Sequence, residues 1–125
     1  MTAAVIRPAD EARLPIDGAT IRRTCDTALN LTTTTPETLE TLVGALVGHV
    51  ELLMRAVRAV APRMQEPGNK RLAEHVLTRA REDIDCWPGP GASEQGTHLF
   101  NLATVCRALV TLHEHPGPLD QDAGR

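Results

Sequence analysis

The side chains able to do chemistry are few, and their spacing decides what they could do. His113-Glu114-His115 sets two imidazoles and a carboxylate in consecutive positions, the residue types that hold a transition metal. On a helix, however, residues i and i+2 point about 200° apart and cannot share one ion. His49-Val50-Glu51 matches the H-x-E half of a zinc deaminase signature, but the P-C-x-x-C half appears nowhere in the chain. Glu94 and His98 stand at i, i+4 in a stretch where Ser93 or Thr97 reads as a helix cap. A di-iron bundle needs two Glu-x-x-His motifs, and the chain has none. No metal and no other cofactor is expected.

Nucleophiles fare no better. Ser93 is the sole serine, in Gly91-Ala92-Ser93-Glu94-Gln95-Gly96. That run is one residue too long for G-x-S-x-G, and no strand precedes it. Cys25 and Cys106 fall on apolar helical stripes and read as small core residues. Cys86, beside Trp87, reads as the exposed thiol. No catalytic residue is assigned.

The elements that would position these groups are helical. After an irregular lead-in over residues 1–16, Asp17-Gly18-Ala19-Thr20 offers N-caps, and Ile21, Cys25, Ala28 and Leu29 form a stripe, giving a helix over 19–30. Thr35 caps a second helix with Pro36 at its first position. There Leu39, Val43, Leu46, Val50, Leu53, Val57, Val60 and Met64 repeat with alternating spacings of four and three, an a/d heptad seam. Gly44, Gly48 and Pro62 project to the opposite face, and Pro62 should bend the helix near its end. Glu66-Pro67-Gly68-Asn69 reads as a turn, and a third helix begins near Asn69 with Leu72, Ala73, Val76, Leu77, Ala80 and Ile84 on its apolar stripe. Cys86-Trp87-Pro88-Gly89-Pro90-Gly91 stops it. Ser93 or Thr97 then caps a fourth helix, whose stripe holds Leu99, Leu102, Ala103, Cys106, Leu109, Val110 and His113. His115-Pro116-Gly117-Pro118 ends that one. The fold class is all-α, an up-down four-helix bundle over residues 17–116, with a flexible tail over 117–125.

Composition agrees with one domain. In 125 residues, 42% are hydrophobic but only 2% aromatic, which excludes wholesale disorder and a base-stacking platform. Net charge is -3, which argues against nucleic acid as a partner. Basic side chains nonetheless gather locally: residues 55–81 hold Arg55, Arg58, Arg63, Lys70, Arg71, Arg79 and Arg81 against Glu66 and Glu74. This patch could bind an anion or a partner. The i, i+4 pairs Glu51–Arg55, Arg79–Asp83 and Arg81–Asp85 favour instead a solvated, ion-paired face. Three cysteines without C-x-x-C spacing, no secretory leader and no apolar run long enough to span a bilayer fit a reduced cytoplasmic setting.

Two stretches carry a family resemblance. Leu46-Val47-Gly48-His49-Val50-Glu51-Leu52-Leu53-Met54 resembles an L-x-G-H-[IV]-x-L-L stretch, and residues 102–114, from Leu102-Ala103-Thr104-Val105-Cys106-Arg107 to Glu114, resemble an L-A-x-x-C-R-x-L-L-x-L stretch. Both look like the actinobacterial domain-of-unknown-function family 6415, whose members are often labelled natural product biosynthesis proteins. The resemblance covers about residues 17–119. It implies a small cytoplasmic protein, sometimes encoded near biosynthetic genes, and no particular reaction. Gly48, His49, Cys106 and Arg107 are its matching polar or special positions.

Three functional readings follow. The first is a non-enzymatic accessory protein that engages a protein partner or a second copy of itself, drawn from the heptad seam and the outer-face glycines. The second is a small enzyme or small-molecule-binding protein of secondary metabolism with a pocket near His49 and Arg107, built from His49, Arg107, His98 or Cys106. The third, a DNA-binding regulator using the basic third helix, has charge and composition against it.

Overall fold

The computed structural model describes residues 16–32 and 34–120. Apart from Ile16 the lead-in lies outside them, as do residues 121–125. Four helices form the bundle: α1 (Gly18–Leu29), α2 (Pro36–Val60), α3 (Pro67–Asp85) and α4 (Ala92–Glu114). A 3₁₀ turn, Ala61–Arg63, follows α2.

Local chemistry explains the helix starts. The Asp17 carboxylate accepts from the Thr20 amide at 3.1 Å and from its hydroxyl at 2.7 Å, satisfying an otherwise orphaned donor. These bonds hold the Asp17 carboxyl below its ordinary pKa. The Thr35 hydroxyl accepts from the Thr38 amide at 3.1 Å, with Pro36 opening α2.

The heptad seam becomes the core. Leu46, Val50 and Leu53 are sealed from solvent, Leu39, Val57, Val60 and Met64 are buried, and Val43 packs at the margin. The expected bend at Pro62 is corrected. The α-helix stops at Val60, the chain tightens into the 3₁₀ turn and Met64 is extended. Proline has no N–H for the next helical bond, so the helix ends where a bend was expected.

Helix α4 is the hub, packing on α1, α2 and α3. Its expected stripe is buried except His113, which is half-buried, and Val105 and Leu112 are buried as well. Burial therefore spans about half of its circumference at 100° per residue. Arg22 ties α1 to the far end of α4, donating to Glu114 and, at 3.3 Å, to the Thr111 hydroxyl. The guanidinium holds the Glu114 carboxyl below its ordinary range.

Two boundaries and one buried face differ from the sequence reading. Pro67 does not sit in a turn but opens α3, with Glu66 before it, because proline's fixed φ suits a first helical turn. Ser93 and Thr97 cap nothing. Gly91 precedes α4, and the Thr97 hydroxyl donates back to the Ser93 carbonyl at 3.1 Å. Glu94 and His98 are therefore both helical. On α3, Leu72 is 49% exposed and Asp83 only 8%, so the buried stripe runs through Ala73, Val76, Ala80 and Asp83. Past Glu114, residues 118–120 lie antiparallel to residues 63–65. The Gln65 amide donates to the Pro118 carbonyl at 3.1 Å and the Asp120 amide to that of Arg63, with Met64 bridged to Leu119.

Candidate functional site

A concavity lies where the first turns of α2 meet the α3–α4 connection and the start of α4. Proline cannot extend α3, so Pro88 and Pro90 force the chain out of the helix. Gly89, at φ +94°, turns it back, a conformation that costs glycine little. The loop is then tied down. The Gln95 side-chain amide donates from Nε2 to the carbonyls of Gly89 and Pro90 at 3.4 Å each, and the Glu94 carboxylate fills the space where a Cβ on Gly89 or Gly91 would stand. Trp87, 78% exposed, is thus carried on a braced loop.

This loop walls a cleft of about 500 Å³. Pro36, Leu39 and Val43 supply apolar surface, while Glu40, Gln95 and His98 bring polar groups to it. The volume falls within the usual range for small-molecule sites, as does the mix of apolar wall and few polar groups. An indole face stacks on flat ligands and attracts cations. The lining contains no serine, threonine, cysteine or lysine. Its apolar wall and few polar groups, a carboxylate and an imidazole among them, suit it to recognising and orienting a ligand.

The residues singled out from sequence are only partly brought together. His98 lines the cleft. His49 is half-buried on α2, and neither it, Cys106 nor Arg107 lines the cleft. Arg107 is exposed on α4. Among the described residues, no atom lies near where a Cβ on Gly48 or Gly44 would stand, so no described helix approaches them. Of the basic cluster, Arg63 donates to the Asp120 carbonyl at 3.3 Å. Arg79 pairs with Asp83 and Arg81 with Asp85, at 3.5 and 3.8 Å. Arg58 and Arg71 are exposed, Arg55 and Lys70 half-buried. Arg58 and Arg81 border a shallow groove beside Met54 and Leu77. Sequence reasoning missed Trp87, Glu40 and Gln95 as site residues. A lone tryptophan in a Pro-Gly-rich loop was the available signal for the first.

Cys25 and Cys106 meet between α1 and α4, both fully buried, and their thiols hydrogen-bond. That bond, together with burial, pushes the Cys106 thiol far above its ordinary pKa, so it stays protonated and unreactive. Cys86 is exposed. Iodoacetamide should therefore add one carbamidomethyl group to the native protein, at Cys86, and reach the other two only after denaturation. Mass spectrometry of intact and digested protein checks this, and rapid labelling of Cys106 in the native state would contradict it.

The two stretches that carried the family resemblance lie on α2 and α4, the helices whose contact builds the core. A model of a family of unknown function, DUF6415, matches residues 19–118, from the first turn of α1 to the segment that returns beside residues 63–65. The chain belongs to this family. No curated protein and no solved structure matches it. The family model spans all four helices and every residue lining the cleft. Among the described residues no group of three or more histidine, cysteine or acidic side chains could hold a metal ion, and no described helix is long and apolar enough to cross a membrane.

Proposed function

We propose that this DUF6415 chain is a non-enzymatic accessory protein that holds a small, largely apolar molecule in the Trp87–His98 cleft. One observation carries the reading. A braced loop keeps a large aromatic side chain in solvent beside a cavity of about 500 Å³, although exposing an indole forgoes burial worth roughly 2 kcal/mol or more. The apolar wall would take the body of the ligand, and Glu40, Gln95 and His98 its hydrogen-bonding edge. The resemblance to actinobacterial proteins labelled for natural product biosynthesis supports a cytoplasmic role beside such a pathway, with a biosynthetic intermediate or product as ligand.

Trp87 is the only tryptophan, so its emission reports on the site directly. Titration with a panel of aromatic and polyketide-like compounds should give saturable quenching or a blue shift for at least one of them. His98→Ala should weaken that binding several-fold while leaving the thermal midpoint within a few degrees. If no compound perturbs Trp87, or if binding ignores both His98→Ala and Glu40→Ala, the reading fails.

A second reading, a homodimer, is favoured by one feature. Gly44 and Gly48 leave an open, shallow strip on α2 at a cost of about 1 kcal/mol each relative to alanine. Native mass spectrometry at micromolar concentration should show a dimer that Gly48→Leu dissociates. A monomer at every concentration removes this reading.

A further inference from the structure

A second groove, of about 310 Å³, runs between α3 and α4 and shares no lining residue with the Trp87 cleft. On its wall stands Asp83, the one buried charged residue among those described, 8% exposed. It occupies a stripe position that an apolar side chain would fill without penalty. Its Oδ1 meets Arg79 Nε at 3.5 Å, a long contact from a guanidinium that is itself mostly in solvent. Its Oδ2 is buried and has no hydrogen-bond partner. Leaving a carboxylate oxygen in that state costs roughly 1–3 kcal/mol or more, because the solvation lost on burial is not replaced. Beside it the Phe100 ring is 55% exposed, and Asn101, Thr104 and His75 add polar groups to the lining.

We propose that this groove binds an organic amine, its ammonium group on Asp83 and its apolar body on Phe100. A protonated amine brings several N–H donors and a second positive charge beside the one that Arg79 holds at 3.5 Å from Oδ1. Turning the carboxylate about its broad terminal torsion brings Oδ2 to the groove in exchange for the 3.5 Å contact of Oδ1 with Arg79. The exposed ring then covers the hydrocarbon part of the ligand and adds a cation–π attraction. A carboxylate ligand would meet Asp83 as a like charge, and a neutral alcohol would add no positive charge to the single contact from Arg79.

Benzylamine, benzyl alcohol and benzoate share one body and differ in the group that would face Asp83. Each is titrated into the isotope-labelled full chain, and amide shifts are followed by NMR at constant pH and ionic strength. Benzylamine should give saturable shifts centred on residues 75–83 and 100–105, benzyl alcohol weaker ones and benzoate none. Asp83→Asn should weaken benzylamine binding by about tenfold or more, and Phe100→Ala several-fold. Phe100 is exposed, so its variant keeps the fold and carries the test even if Asp83→Asn does not fold. The proposal is overturned if benzylamine leaves these residues unshifted, if the alcohol or benzoate binds as tightly, or if both variants bind like the parent. Shifts confined to residues 36–43 and 87–98 would also overturn it, while leaving the Trp87 cleft standing as a ligand site.

Discussion

Leu53→Ala will lower the unfolding free energy by about 3–5 kcal/mol and the thermal midpoint by on the order of 10 °C. Leu53 is fully buried at the middle of the α2 seam, among the core residues α2 shares with α1 and α4. Truncation removes its transfer free energy and leaves a cavity that helices packed on several sides cannot collapse into. Against a typical net stability of about 5–15 kcal/mol, that is a large fraction. Leu72→Ala is the control. Both leucines stand on apolar helical stripes in the sequence, yet Leu72 is 49% exposed, and its truncation should cost less than about 1 kcal/mol. Urea denaturation of the two variants side by side checks this. Equal losses would mean that α3 packs with a different face inward.

The second large effect is expected at the braced loop. Gly89→Ala should cost on the order of 1–3 kcal/mol and abolish ligand binding in the Trp87 cleft. Its φ of +94° is open to glycine and strained for alanine, and swinging Glu94 aside does not relieve that strain. Gly91→Ala makes a matched comparison. Gly91 has an ordinary φ of -72°, so its substitution displaces only the flexible Glu94 carboxylate and should cost well under 1 kcal/mol. Thermal unfolding together with Trp87 emission separates the two. If both variants behave alike, backbone strain is not what shapes the loop.

The bundle was legible in the sequence wherever periodicity was long. Alternating spacings of four and three over residues 39–64 name the buried face of α2, because a side chain every three or four residues must lie on one side of a helix. Boundaries were harder. Glu66-Pro67-Gly68-Asn69 carries the same signals whether it turns the chain or opens a helix, because proline's fixed φ suits both. On α3 the pattern offered both Leu72 and Ile84 to the core, and tertiary contact placed Asp83 there while leaving Leu72 outside. The cleft was mostly hidden. His98 could be named as a candidate, but its companions come from residues 36–43 and 87–95, and no spacing rule links segments brought together only by folding. The Cys25–Cys106 contact was hidden for the same reason.

The central place of α4 also bears on how the molecule is made. A ribosome delivers residues 92–114 after the other three helices, yet this is the helix on which all three rest. During synthesis, the faces of α1 and α2 that carry Ile21, Cys25, Leu46 and Leu53 emerge without the surface they will finally share. Arg22 must wait for Thr111 and Glu114. Assembly of the native core is therefore tied to the emergence of residues 92–114, and a nascent chain halted within α4 displays its apolar seams to whatever chaperone or neighbouring chain is present.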